Sequence, residues 1–307
     1  MTCYHPLEAS IQGTKYDGTK ILKFGQPESP AHQTLQLPCG QCIGCRIDYA
    51  NMWAIRAMHE NQMHEQSCFI TLTYDPEFLP YGGTLVPKHL QDFLKRLRKK
   101  TPKIRFYACG EYGETVGKRP HYHALIFGWE PGDKELFYEI EGIQTFTSET
   151  LEKIWGKGFC TLGNVDLDSC AYVARYCTKK IKPSDQSPEQ FHERYTVTCY
   201  VTGEVIDLEP EFARMSNRPG IAKDWFTQYH PDIFPYDTCI WKGKNVRTPR
   251  YYENLLRSSD QLAYDRLKDK RYQGALKAKW NNTPSRLRVR KTIQEAKLSM
   301  KQRKLDQ

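Results

Sequence analysis

Between residues 51 and 181 the spacing of apolar positions changes several times, and each change marks an element. In "NMWAIRAMHENQMHEQ" Trp53, Ala57 and Met58 recur at helical spacing, which predicts an amphipathic helix. "SCFITLTYDPE" has the β-branched and aromatic content of a strand that stops at Asp75-Pro76. In "KHLQDFLKRLRKK" Leu90, Phe93, Leu94 and Leu97 form one apolar stripe with Lys and Arg opposite, the pattern of a surface helix. "KIRFYACGEYGE" reads as a second strand running into a Gly-containing turn, and "HYHALIFGW" as a third. "SETLEKIWGKG" predicts a helix capped by Ser148 and closed at Gly156 or Gly158, with Glu149 or Glu152 favourable in its first turns. "FCTLGNVDL" reads as another strand, and "DSCAYVARYCTKKI" as a helix that Pro183 stops.

Outside this stretch the pattern is weaker. Residues 1–50 read as loop-rich and hold "MTCYHP" and "LPCGQCIGCR". "PSDQSPEQ" resembles a linker, "RYTVTCYVTGEVIDL" a hairpin turning at Gly203, and "MSNRPGIAKDWFTQY" a turn followed by a helix. The last fifty residues are polar and helix-forming, with a break near "NNTPS". Four regions follow: a Cys-rich segment (1–50), a core (51–183), an accessory hairpin and helix region packing on that core (184–250), and a basic helical tail (251–307). Strands mixed with helices, with a short turn between the second and third strands, argue for an α+β fold with a mainly antiparallel sheet and helices on one face.

Composition narrows the function. At 307 residues the chain can bury a full core. It has no run of about 18 apolar residues, and its N-terminus lacks a charged-then-apolar layout, so we expect an unexported protein that does not enter a membrane. Eleven cysteines in such a chain are read as reduced thiols, some of them metal-bound. The net charge of +9 is a property of the tail, because residues 257–307 hold 15 Lys and Arg against 5 Asp and Glu. Such an excess suits a polyanion such as nucleic acid, with Tyr264, Tyr272 and Trp280 available to stack on unpaired bases. It is equally well read as a solvated helical extension. No phosphate-binding G-x-x-x-x-G-K-[ST] loop is present, so the chain does not encode an ATP-driven motor.

The chemistry centres on "RPHYHALIFG". On a strand His121 and His123 project to one face while Tyr122 projects to the other, a geometry that suits a shared metal ion. Taken alone, the pair is read as readily as two histidines with no ligand role. "AYVARYCTKK" spaces Tyr172, Tyr176 and Lys180 by four residues, so their side chains drift only about 80° around a helix and share one face. A phenol with a reference pKa of about 10 is a poor nucleophile at neutral pH. Attack on a phosphodiester therefore needs a Lewis acid on the phosphate and a positive charge near the phenol. His121 and His123 could hold the first as Mg²⁺ or Mn²⁺, and Lys180 could supply the second. The open coordination shell calls for a carboxylate, for which Glu111 is the first candidate and Glu114 the reserve. Cys39, Cys42 and Cys45 at C-x-x-C-x-x-C spacing, with Cys3 nearby, suggest a structural zinc site. His5 is an alternative to Cys3, unligated thiols are a second reading, and an iron–sulfur cluster is a third that Tyr49, standing where a fourth cysteine would continue the run, disfavours.

In "FITLTYD", "RPHYHALIFG" and "YVARYCTKK", taken in that order, the chain resembles the HUH endonucleases, and among them the replication initiators of small single-stranded DNA phages of the gokushovirus branch. "PCGQCIGCR", "CGEYGE" and "MSNRPGIAKDWF" resemble that branch too. The likeness covers most of residues 1–250; Tyr122, where the superfamily has a small or aliphatic residue, departs from it. It implies a ferredoxin/RRM-like core and a rolling-circle initiator. In such a protein Tyr172 or Tyr176 attacks the origin, leaving a 5′-phosphotyrosine and a free 3′-hydroxyl, and strand transfer later closes the circle. Arg119, Arg175 and Lys179 are the candidate DNA contacts. The implied partners are single-stranded origin DNA and the host helicase and replication machinery, in the cytoplasm of a bacterial host, without ATP for nicking and rejoining. A transposase or relaxase of the same superfamily would have no need of the cysteine cluster. A non-catalytic single-strand binder would use the same basic and aromatic surface but form no covalent adduct.

Overall fold

The computed structural model describes residues 3–300 apart from 17–19, 26, 28, 30–31, 102, 114–118, 180–187, 200, 235 and 242, and omits the side chains of 176–179, 188 and 190. The chain forms two compact units, one of residues 1–49 with 255–307 and one of residues 50–254.

The N-terminal segment is less loop-rich than its sequence suggests. β1 (Leu7–Thr14), β2 (Lys20–Phe24) and β3 (Thr34–Leu37) form an antiparallel sheet in the order β2-β1-β3. Apart from Ala9 and Ser10 most of these positions are exposed or half-buried, so backbone pairing holds the sheet and leaves no apolar alternation to read. The helix α1 (Ile43–Asn61) begins inside the cysteine run, eight residues before the predicted start.

The second unit is built on a seven-stranded sheet. Its strands are β4 (Ser67–Leu72), β5 (Arg105–Tyr112), β6 (Pro120–Phe127), β7 (Glu135–Ile140), β8 (Ile143–Thr147), β9 (Cys160–Asn164) and, after β10 (Thr196–Thr198) and β11 (Val205–Asp207), β12 (Phe212–Met215). The order is β12-β5-β6-β4-β9-β8-β7, and every pairing is antiparallel. This is the α+β, antiparallel class expected. The pair β10 and β11 is the hairpin read around Gly203, whose φ of 72° is the left-handed turn conformation glycine accepts without strain. β13 (Thr238–Trp241) and β14 (Lys244–Arg247) make a further hairpin that the sequence pattern did not reveal.

The helices α2 (Pro87–Lys100) and α3 (Glu149–Trp155) cover one face of the sheet. Leu90, Phe93, Leu94 and Leu97 of α2, with Leu151, Ile154 and Trp155 of α3, bury against Ile70, Leu72, Ala108, Tyr122, Ala124, Ile126 and Leu162. Each fully buried aliphatic or aromatic side chain there is worth about 1.5–3 kcal/mol relative to exposure. Ser148 caps α3 by accepting the Leu151 N–H, and Gly156 at φ 61° closes it, as the sequence predicts. The opposite face also carries helices: Trp53 of α1 stacks on Tyr107 at 4.8 Å, and Tyr172 of α4 (Leu167–Lys179) meets Phe69 edge-on. The helices divide between the faces because β5 and β6 are apolar at alternate as well as facing positions, with Tyr107, Cys109, Leu125 and Phe127 all buried.

After α5 (Pro188–Tyr195) and α6 (Lys223–Ile233) the chain ends in α7 (Arg250–Ser259), α8 (Gln261–Lys277) and α9 (Pro284–Ser299). The break expected near "NNTPS" is a 3₁₀ turn at Lys279–Asn282 followed by Pro284 in the first turn of α9. Among the described residues no helix is long and apolar enough to cross a membrane.

Candidate metal and tyrosine site

The β5–β6 register sets His121 opposite Glu111 and His123 opposite Cys109, and β4 sets Thr71 opposite His123 from the other side. Residues paired across strands share a face, so Glu111, His121, His123 and Thr71 all lie on the face opposite α2 and α3. Tyr122 points the other way. It is fully buried, and its hydroxyl lies 2.8 Å from that of Tyr74 and donates to the carbonyl of Val86 at 3.0 Å. The tyrosine between the two histidines is therefore a core residue of the far face.

Glu111 Oε1 lies 2.8 Å from His121 Nε2 and 2.9 Å from His123 Nε2. His121 Nδ1 lies 3.1 Å from the carbonyl oxygen of Arg119, which can only accept, so that nitrogen carries the hydrogen. Neutral His121 then presents a lone pair from Nε2 towards Glu111. A carboxylate oxygen and such nitrogens attract one another only through a shared positive charge, either imidazolium protons or a metal ion. The second Glu111 oxygen, Oε2, is buried with no hydrogen-bond partner among the described residues. Burial would push the Glu111 carboxyl up, but the hydrogen bonds with His121 and His123 outweigh it and hold the group below its ordinary value, ionised. An ionised, buried carboxylate with one unpaired oxygen beside two imidazole nitrogens fits a divalent cation. The three residues are a group able to hold a metal ion, their ligand atoms within 4.8 Å of one another.

Tyr172 reaches this site from α4. Its hydroxyl is 3.5 Å from His123 Nε2, and its ring meets the His123 ring edge-on at 5.0 Å. Phe69 packs against both, stacked on His123 at 5.6 Å and edge-on to Tyr172 at 5.9 Å. Tyr172 is only 6% exposed, so its phenol sits in a desolvated niche beside the histidines. Tyr176 lies one turn further along α4, but its side chain, that of Lys179, and all of Lys180 and Glu114 fall outside the described residues. Arg175 is exposed with its guanidinium carbon 5.8 Å from the Tyr172 ring. Arg119 is exposed too, and donates to the Tyr74 carbonyl at 2.6 Å. Thr71 and Phe69 were not among the expected site residues. Their signal lay in the alternation of "CFITLT", whose odd positions share the histidine face.

The second cluster lies in the other unit. Cys3, Cys39, Cys42 and Cys45 hold their sulfurs within 4.8 Å of one another, the second group able to bind a metal ion. Cys3, rather than His5, completes the group. The backbone N–H groups of Tyr4, Cys39 and Cys42 donate to the sulfurs of Cys42, Cys3 and Cys39, each at 3.3 Å, as thiolate ligands require. Burial alone would raise the Cys42 thiol, but the Tyr4 N–H and hydrogen bonds from Cys45 and Cys39 bring it down to about 7.

A family model for the replication-associated protein ORF2 matches residues 67–181, the stretch from β4 to the end of α4 that holds the histidine face and both tyrosines. The replication-associated protein VP4 of Bdellovibrio phage phiMH2K is 32% identical over 268 residues, which cover 83% of this chain and 76% of that protein. The replication-associated protein ORF2 of Spiroplasma virus 4 is 32% identical over 252 residues, 76% of this chain and 72% of the relative. The replication-associated protein ORF4 of Chlamydia phage 1 is 28% identical over 80% of this chain and 60% of its own length. The likeness thus extends well beyond the family segment. No solved structure matches the chain.

Proposed function

The chain belongs to the replication-associated proteins of small phages, the family of the Bdellovibrio phage and Spiroplasma virus proteins above, and from that membership we propose that it initiates rolling-circle replication as an HUH-type endonuclease. The observation that carries the reading is the position of the Tyr172 hydroxyl, 3.5 Å from His123 Nε2 on the same face as Glu111 and His121. A Mg²⁺ or Mn²⁺ ion held by Glu111, His121 and His123 would supply Lewis-acid polarisation of a scissile phosphate.

The phenol oxygen of Tyr172 or Tyr176 forms a bond to phosphorus, and the bond from phosphorus to the 3′-oxygen breaks. The phenol proton is lost, and the departing oxygen takes up a proton, for which Lys180 is the nearest candidate donor in the sequence. A 5′-phosphotyrosine and a 3′-hydroxyl primer result. Reversal of these bonds by a later 3′-hydroxyl rejoins the strand and releases the tyrosine. Because the phosphotyrosine conserves the energy of the phosphodiester, nicking and joining draw on no nucleoside triphosphate, and strand separation falls to a host helicase in the bacterial cytoplasm. Arg119, Arg175 and Lys179 are the proposed phosphate contacts near the site, with the basic tail as a non-specific one.

At Cys3, Cys39, Cys42 and Cys45 we place a structural Zn²⁺, since four thiolates match its preferred ligand set. Metal analysis of the purified chain should find one zinc per molecule, and Cys39→Ser with Cys42→Ser should lose it.

The deciding experiment incubates the protein and Mn²⁺ with labelled single-stranded origin DNA, followed by denaturing electrophoresis and peptide mapping. An adduct on Tyr172 or Tyr176, absent when both are Phe, is the expected result. Binding without an adduct, across several metals and both strands, would replace the enzyme with a single-strand binder.

A further inference from the structure

We infer that Thr71 is the positioning residue of the histidine site: its hydroxyl holds His123 in the one tautomer and ring orientation that leaves Nε2 free to bind a metal ion. This rests on the metal reading given above but adds a residue that the two-histidine motif does not contain.

The two histidines are braced differently. His121 Nδ1 donates to a backbone carbonyl, that of Arg119, so its tautomer is set by the strand itself and no side-chain substitution can remove the acceptor. His123 has no such carbonyl partner for Nδ1. Its Nδ1 lies 3.0 Å from Thr71 Oγ1 across the β4–β6 pairing. A hydroxyl both accepts and donates, so on its own it would permit either tautomer. The other end of the ring breaks the tie when a cation is bound. Nε2 must then offer a lone pair, Nδ1 must carry the hydrogen, and Thr71 Oγ1 is the acceptor within reach.

The surroundings make that acceptor matter. His123 is 4% exposed, so a displaced Nδ1–H has little access to water. Phe69, two residues before Thr71 on the same strand face, stacks on the imidazole at 5.6 Å with an interplanar angle of 17°, which holds the ring plane and leaves rotation within that plane and ring flipping to be stopped by Thr71. One strand thus supplies both constraints, Phe69 on the ring face and Thr71 on the ring edge. The Tyr172 hydroxyl lies near His123 Nε2, so a flipped or tilted ring would disturb the ligand and the nucleophile's neighbour together.

Thr71→Val keeps the shape of the side chain and deletes the acceptor, whereas Thr71→Ser keeps the acceptor. Thr161, opposite Thr71 on β9, provides a matched control through Thr161→Val. Mn²⁺ affinity of the full chain, measured by calorimetry or electron paramagnetic resonance without DNA, should fall about 10- to 100-fold in Thr71→Val. Thr71→Ser should recover most of the loss and Thr161→Val should bind as wild type. In parallel, nitrogen-15 spectra of histidine-labelled, metal-free protein should show His123 with its hydrogen on Nδ1 in wild type and a mixed population in Thr71→Val. Unchanged affinity and unchanged His123 spectra in Thr71→Val would overturn the inference while leaving the metal site intact. Wild-type protein that binds no Mn²⁺ would instead overturn the metal reading. A loss in Thr71→Val matched by an equal loss in Thr161→Val would show a general weakening of the strand and also count against Thr71.

Discussion

Strand β6 presents two tyrosine environments from one stretch of chain. On the face towards α2 and α3, Tyr122 is sealed among Tyr74, Trp155 and Phe212, and its hydroxyl is bonded to Tyr74 and to Val86. Burial holds both of these phenols above their ordinary range, so they stay protonated and neutral. His89, whose Nδ1 lies 2.7 Å from the Tyr74 hydroxyl, is itself held below its ordinary value by burial and brings no positive charge to them. On the other face Tyr172 is almost equally buried, yet it stands beside His123 and an ionised Glu111. Burial by itself therefore does not distinguish a structural phenol from a reactive one. What differs is whether the neighbours can gather positive charge, and alternation along one strand is enough to separate the two cases.

The contrast is broken most completely from the histidine side. His123→Ala should abolish metal-dependent nicking and leave single-strand DNA binding largely intact, as measured by adduct formation beside a binding assay; full nicking activity would end the metal-site argument. The far face should respond in the opposite sense. Trp155 is fully buried and donates its indole N–H to the Thr73 carbonyl at 2.6 Å. Trp155→Ala should cost about 3–5 kcal/mol of stability in urea unfolding, and at temperatures where the variant remains folded its Mn²⁺ affinity should match wild type. Smaller again is Tyr122→Phe, which keeps the ring and strands the Val86 backbone groups, for about 1–3 kcal/mol. A loss of nicking in Tyr122→Phe out of proportion to its stability would mean that the two faces are coupled.

The same alternation explains how much of the molecule could be read in advance. His121, His123 and Glu111 were legible because period-two geometry fixes which side chains share a face, and because a tight β5–β6 connection makes the register follow from the turn. The apolar stripe of α2 was legible for the matching reason at period 3.6. The exposed hairpin of β7 and β8 was not, since all six residues of β7 face solvent and apolar side chains such as Leu136 and Phe137 stand beside charged ones without a buried side to order them. Phe69 and Thr71 escaped for another reason. Their role depends on β4 lying next to β6, a neighbour relation between strands about fifty residues apart that local pattern does not encode.

The smallest effect tests how the far face is fastened at its edge. The N-terminus of α3 is fixed twice by Asp133: one carboxylate oxygen accepts the Ser148 hydroxyl at 2.6 Å while that hydroxyl caps Leu151 N–H, and the other accepts the Thr150 N–H at 2.8 Å. The Ser148 hydroxyl first, and then the Thr150 N–H, hold the Asp133 carboxyl down from 3.8 to about 2. A carboxyl whose folded value lies below its unfolded one stabilises the fold above the unfolded value, and that contribution is lost as pH falls through the folded value. The stability difference between wild type and Asp133→Asn should therefore be constant from neutral pH down to about 4 and shrink between there and about 2. Solvent screening keeps it within about 1 kcal/mol. Adduct formation in Asp133→Asn should stay at the wild-type level, because the residue anchors the helix on the face that carries no histidine. A pH-independent difference would mean that the capping geometry, rather than the charge of Asp133, fastens α3 to the sheet.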